Sequence, residues 1–75
     1  MWVMLSQPNC NYCSMALALL ASRDCQVSVY DVSQSPILKN FLRDQGIVQV
    51  PQVYHKGLRV GGYEELRRYL SVDHA

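Results

Sequence analysis

The sequence predicts a single α/β domain: one small mixed sheet with helices on both faces, in the order β-α-β-α-β-β-α. Two observations carry the topology and a third limits the size. An apolar run, Trp2 to Ser6, leads into a helical pattern free of Gly and Pro and then into an alternating β-rich run, which makes a right-handed βαβ unit with parallel strands. Further on, two short β-rich pieces are joined at Lys56-Gly57 with the spacing of a tight antiparallel hairpin. The chain has 75 residues, enough for one domain spanning 1–75, and a domain this small buries little more than about 60% of the surface its unfolded chain exposes.

Taken in order, Trp2 to Ser6 is almost continuously apolar, as suits a strand covered on both faces. From Tyr12 to about Ala21 the residues Tyr12, Met15, Ala16, Leu19 and Leu20 recur at three- and four-residue spacing, which predicts a helix packed on a core through those positions. Asn9 or Cys10 stands at its N-cap, and Ser22-Arg23-Asp24 lies near its end. Gln26 to Asp31 alternates Val27 and Val29 with Ser28 and Tyr30 and is rich in β-formers, giving a second strand parallel to the first. Ser35-Pro36 opens the next helix as N-cap and first helical residue. Its expected buried stripe is Leu38, Phe41 and Leu42, and Gly46 supplies the stop. Gln52 to His55 and Leu58 to Val60 form the hairpin strands. After the break at Gly61-Gly62, Glu64 to Leu70 reads as a third helix, with acids in its first turn and arginines in its last turns, matching the helix dipole. Ser71 to Ala75 is expected to fray.

Composition narrows the function. Seven basic and six acidic residues leave a formal charge of +1, giving no electrostatic reason to expect nucleic acid or an anionic membrane as a partner; Arg67-Arg68 reads as a solvated helix edge. The run Met1 to Ser6 is too short for a signal h-region and lacks a basic n-region, and no apolar run approaches membrane length. A cytoplasmic location is expected. The three cysteines cannot all pair, and an odd count in a short intracellular chain points to thiol chemistry or metal binding rather than to a stapled secreted scaffold.

Cys10-Asn11-Tyr12-Cys13 carries that chemistry. At the start of a helix, unpaired N–H groups and the positive end of the dipole favour a thiolate, the form of cysteine that attacks disulfides. Cys10 is the candidate nucleophile. Cys13, one turn on and on the same face, is the candidate resolving thiol, able to displace a mixed disulfide formed at Cys10. Two other readings compete. Zinc wants four ligands in two well-spaced pairs, and Cys25, His55 and His74 lack the spacing of a second pair. A structural disulfide closing so small a loop would remove little chain entropy, in a reducing compartment. Cys25, alone between helix and strand, reads as a small apolar filler.

Three motifs in register then resemble the dithiol glutaredoxins: Cys10-Asn11-Tyr12-Cys13 after a strand, Val50-Pro51-Gln52-Val53 before one, and Gly61-Gly62-Tyr63-Glu64-Glu65-Leu66 opening the last helix. The resemblance runs from about Val3 to Leu70 and implies a thioredoxin-like fold with a four-stranded mixed sheet flanked by three helices. It implies reduction of protein disulfides and glutathione mixed disulfides with glutathione as reductant, with no resident metal, by a monomer that can deliver electrons to ribonucleotide reductase. By position, Cys10 matches the family's nucleophile and Cys13 its resolving cysteine. Gln7 and Tyr12 match residues flanking glutathione, and Val50 matches the residue whose backbone pairs with its cysteinyl part. Pro51 matches a cis proline, against the trans isomer that base rates alone would give. Gly62, Tyr63, Glu64 and Glu65 match the turn and helix start that hold the γ-glutamyl end, where a helix N-terminus suits a carboxylate.

The chain departs from the family pattern at three places. Asn11 replaces the usual Pro, with consequences for the Cys10 environment and reduction potential. Gln7 stands where many relatives have Lys, which offers a glycyl carboxylate a weaker, uncharged partner. Glu64-Glu65 replaces the more usual Thr or Ser followed by Asp, adding repulsion toward a carboxylate. Two rival functions therefore stay open: a redoxin reduced by thioredoxin reductase, and a carrier of a [2Fe-2S] cluster shared between two chains through Cys10 and two glutathiones.

Overall fold

The computed structural model describes residues 1–71. Strand β1 (Trp2–Ser6), helix α1 (Asn11–Ser22), strand β2 (Val27–Asp31), helix α2 (Pro36–Asp44), strands β3 (Gln52–His55) and β4 (Leu58–Gly61) and helix α3 (Tyr63–Ser71) follow in the expected order, with a 3₁₀ turn at Val32–Gln34 that the periodicity did not signal. The sheet order is β2-β1-β3-β4. β1 pairs in parallel with β2 and antiparallel with β3, and β3 pairs antiparallel with β4.

Alternation along the central strand β1 divides the core. Trp2 and Met4 point to one face and meet Ala16, Leu20, Val53 and Leu66, beneath α1 and α3. Val3 and Leu5 point to the other and meet Val32 and Leu42, beneath α2. Both faces being covered is why β1 reads as an unbroken apolar run. On the first face, Trp2 stacks on His55 with ring centroids 3.9 Å apart, and Tyr69 stands edge-on to both rings. Tyr69 Oη lies 2.8 Å from His55 Nδ1, and Arg23 Nη1 donates to Leu70 O at 3.0 Å. These contacts tie α3 to the sheet and to the end of α1, its neighbour on the same face.

Local signals end each element where chain chemistry requires. Ser35 Oγ accepts from Leu38 N at 3.2 Å, capping α2 ahead of Pro36. Replacing Ser35 by Ala should cost about 1 kcal/mol, seen as a lower urea midpoint with an unchanged slope. Gly46, at φ +71, closes α2; its N–H reaches Arg43 O and the next N–H, of Ile47, reaches Leu42 O, both at 2.9 Å. This paired pattern needs a residue at ease in the left-handed region. Lys56 and Gly57 both take positive φ, the backbone of a type I′ hairpin turn.

Three expectations need correcting. Tyr12 (58% exposed) and Met15 lie outside the core, and the buried face of α1 is Cys13, Ala16 and Leu20. Nearly every position of α1 is apolar, so periodicity shows that a stripe exists without fixing its phase; the small side chains of Cys13 and Ala16 let the helix approach the sheet. Phe41 is 42% exposed, leaving Leu42 as the buried anchor of α2 with Leu38 beside it. Ser71 is the last residue of α3, so helix continues one residue into the segment expected to fray, and 72–75, including His74, lie outside the described residues. Among the described residues, no helix is long and apolar enough to cross a membrane.

Candidate active site around Cys10

The strand-to-helix turn places the cysteines. Asn9, at φ +59, turns the chain out of β1 so that Cys10 becomes the N-cap of α1 in an extended conformation (φ −109, ψ 107). Its Sγ accepts from the Cys13 backbone N–H at 3.2 Å, the place that a serine or aspartate oxygen takes in an ordinary cap. Sulfur is thereby held at the positive end of the helix dipole. The Cys10 thiol also reaches across the site to Val50 O, 3.8 Å away. The Val50–Pro51 bond is cis, as the resemblance implied.

Cys13 sits beneath, only 4% exposed. Burial pushes its thiol above the ordinary value of 9.0, and the hydrogen bond with Cys10 adds to the rise, while hydrogen bonds from the Ser6 side chain and the Gln7 backbone act the other way. Exposure thus separates the two sulfurs, and burial opposes ionisation of Cys13. Brief treatment with iodoacetamide at pH 7 should alkylate Cys10 well before Cys13, as read by peptide mass mapping; equal labelling would contradict the division. Cys25 Sγ lies 3.7 Å from Arg23 O, against the edge of the first core, in keeping with a filler role. No group of three or more His, Cys, Asp or Glu side chains that could hold a metal occurs among the described residues.

Two cavities meet at Val50. The smaller, ≈ 200 Å³, is lined by Tyr12, Gln49, Val50, Pro51, Gly62, Tyr63, Glu64 and Glu65. This joins seven of the sequence-selected residues, drawn from three separate stretches of chain, in one groove. The Tyr12 and Tyr63 rings face each other there with centroids 5.9 Å apart. The larger, ≈ 650 Å³, joins Gln7, Cys10, Tyr12 and Val50 to the α2 residues Lys39, Leu42 and Arg43 and to the segment from Gly46 to Gln49. Sequence reasoning passed over Lys39 and Arg43. Their four-residue spacing on one helix, with no acid one turn away from either, was the available signal.

Both acids at the start of α3 already have partners within the chain. Glu65 Oε1 accepts from Gly62 N at 2.8 Å, half of a capping box, in which the third helical residue reaches back to the cap. Glu64 Oε2 lies 3.3 Å from Arg67 Nη2 in an exposed pair. The close approach of Glu65 is possible because Gly61, at φ +124, has no side chain: a Cβ there would stand 2.8 Å from Glu65 Cβ.

A family model described as Glutaredoxin matches residues 2–60. The solution structure of glutaredoxin from Brucella melitensis superposes with a TM-score of 0.80 at 28% identity, over 93% of this chain and 77% of that one. A buckwheat glutaredoxin–glutathione complex superposes at 0.81 with 23% identity, over 93% and 67%. The glutaredoxin-like NrdH-redoxin of Escherichia coli, described as having a thioredoxin-like activity profile, superposes at 0.80 with 22% identity, over 89% and 91%. At such identities the last two show likeness of fold. Comparison with curated proteins gave no match.

Proposed function

The chain belongs to the glutaredoxin family, a family of thiol–disulfide oxidoreductases with the thioredoxin-like fold seen here, and from that premise we propose that it uses glutathione to reduce protein disulfides and glutathione mixed disulfides. The observation that carries the reading is the N-capping Cys10 Sγ, held 3.2 Å from Cys13 N and 3.8 Å from Val50 O, in the wall of the larger cavity and beside Val50, which lines both.

In the mechanism, the Cys10 thiolate attacks one sulfur of a substrate disulfide. A Cys10–substrate disulfide forms and the other substrate sulfur leaves as a thiolate, which takes up a proton. Cys13 then loses its proton and attacks Cys10 Sγ, expelling the second substrate thiolate and closing a Cys10–Cys13 disulfide. Two glutathione thiols reopen that bond in two exchanges, yielding one glutathione disulfide, so two electrons pass from glutathione to substrate. For a glutathione mixed disulfide, Cys10 suffices: it accepts the glutathionyl group and a second glutathione removes it.

The groove supports glutathione in extended form: its cysteine beside Val50 and the cis Pro51, its γ-glutamyl end toward Gly62, Tyr63, Glu64 and Glu65, its glycyl end toward Gln7 and Tyr12. We place the protein in the cytoplasm as a monomer, with ribonucleotide reductase among its candidate substrates. A second reading, reduction by thioredoxin reductase, is favoured by Glu65, whose carboxylate already occupies the α3 N-terminus, and is in keeping with the activity profile stated for the NrdH-redoxin. Turnover of a mixed disulfide, coupled either to glutathione with its reductase or to thioredoxin reductase, separates the two. The proposed function expects turnover with the first system, and turnover with the second alone would overturn it.

A further inference from the structure

Among the described residues, Gln52 is the one buried polar side chain, 5% exposed at the start of β3. It stands opposite Leu5 of β1, on the face of the sheet covered by α2. An amide taken out of water is costly unless both its ends are hydrogen-bonded, and here both are. Gln52 Nε2 donates to Gln49 O at 3.0 Å, and Oε1 accepts from Nη1 of Arg59, on the outer strand β4, at 3.2 Å. A carbonyl only accepts and a guanidinium only donates. One orientation of the amide satisfies both neighbours, and Arg59 selects it.

That orientation sets the backbone of the groove. The Gln49–Val50 peptide is trans, so its N–H points opposite to its C=O. With Gln49 O turned inward to Gln52, Val50 N–H is turned the other way. Gln49 and Val50 line both cavities, and outward from the buried amide is therefore toward the groove. Val50 O faces the Cys10 thiol at 3.8 Å. In an antiparallel pair one residue exchanges both its N–H and its C=O with the residue opposite, and Val50 presents both groups beside the nucleophile.

We propose that Gln52 and Arg59 are positioning residues for the glutathionyl group: Arg59 fixes the Gln52 amide, the amide holds Gln49 O inward, and Val50 N–H is thereby presented to the backbone of the glutathione cysteine. The proposal rests on the glutathione reading of the groove and adds no chemical step to it. Neither side chain touches the reacting sulfurs. They act by keeping one peptide plane from turning, which spares a bound ligand the ordering of its own binding site.

The test follows single turnover of the reduced full chain by acid quench and intact mass, with two disulfides as probes. Glutathione disulfide carries a backbone that can pair with Val50; bis(2-hydroxyethyl) disulfide carries none. Gln52→Met should slow reaction with glutathione disulfide about tenfold, the order of one hydrogen bond, and leave the second probe unchanged. Arg59→Met, an exposed substitution that keeps the fold testable, should slow glutathione disulfide about threefold, and Arg59→Lys, which retains a donor, should restore most of the rate. In the Gln52→Met background Arg59→Met should have no further effect, because its action runs through the amide. A plain attraction of Arg59 for anionic glutathione would persist in that background and would overturn its place in the relay. Equal slowing of both probes by Gln52→Met, or of neither, would overturn the positioning proposal. If the unaltered protein reacts no faster with glutathione disulfide than with the hydroxyethyl probe, the glutathione reading falls and this proposal with it.

Discussion

Replacing Cys10 by Ser should abolish every thiol exchange, whereas replacing Cys13 by Ser should leave reduction of glutathione mixed disulfides largely intact and remove most protein-disulfide reduction. The asymmetry follows from where the sulfurs sit. Of the pair, Cys10 is the partly exposed sulfur at the groove, on the N-terminus of α1 and within reach of Val50 O. Serine in its place keeps a capping oxygen, so the fold should survive while the nucleophile is lost. Cys13 is buried and raised in pKa, and its role begins only when a mixed disulfide on Cys10 must be resolved. Glutathione itself can do that for a glutathionyl group. A protein partner bound covalently at Cys10 is far better released by the neighbouring thiol. Steady-state rates of both variants on both substrate classes check this, and equal losses would contradict the split.

Gly61→Ala should be the most damaging single substitution at the edge of the site. A φ of +124 is closed to residues with a Cβ, at a cost of about 1–3 kcal/mol. The added methyl would also stand 2.8 Å from Glu65 Cβ and 3.0 Å from Glu65 Oε1, and overpacking of that kind costs about 1–3 kcal/mol more. Moving Glu65 aside would break its hydrogen bond to Gly62 N at 2.8 Å and uncap α3. For a chain of 75 residues, whose total stability is about 4–11 kcal/mol, the sum is a large fraction. Urea denaturation should show a midpoint far below that of the unaltered protein. Gly62→Ala, where the new methyl would meet Glu65 Oε1 at 3.3 Å and Pro51 O at 3.6 Å, should cost less. A Gly61→Ala midpoint close to the unaltered one would contradict the backbone geometry at this turn.

The element order and the two-faced sheet were legible because the chain punctuates itself. Ser35-Pro36, Gly46, Lys56-Gly57 and Gly61-Gly62 each leave one favourable backbone path, and strand β1 alternates between two covered faces. The groove was legible for another reason: its residues come as three short motifs whose order matches a family. Helix phase was harder to read. In α1, Tyr12 and Met15 are as apolar as Ala16 and Leu20, and only packing against the sheet decides which face is buried. Phe41 likewise gives way to Leu42, because one turn of α2 needs a single anchor there. Lys39 and Arg43 were hidden because a charged pair on a helix ordinarily faces water, and only the fold reveals that they overlook the same cavity as Cys10. The cap at Glu65 was hidden too, since the pattern that made it a ligand residue is also that of half a capping box.

The most direct measurement is the intact mass and peptide map of the Cys13→Ser protein after exposure to glutathione disulfide. With the resolving thiol gone, one glutathionyl group should accumulate, and it should map to Cys10. An adduct mapping to Cys25 instead, or no adduct at all, would contradict Cys10 as the attacking sulfur of a glutathione-reactive site.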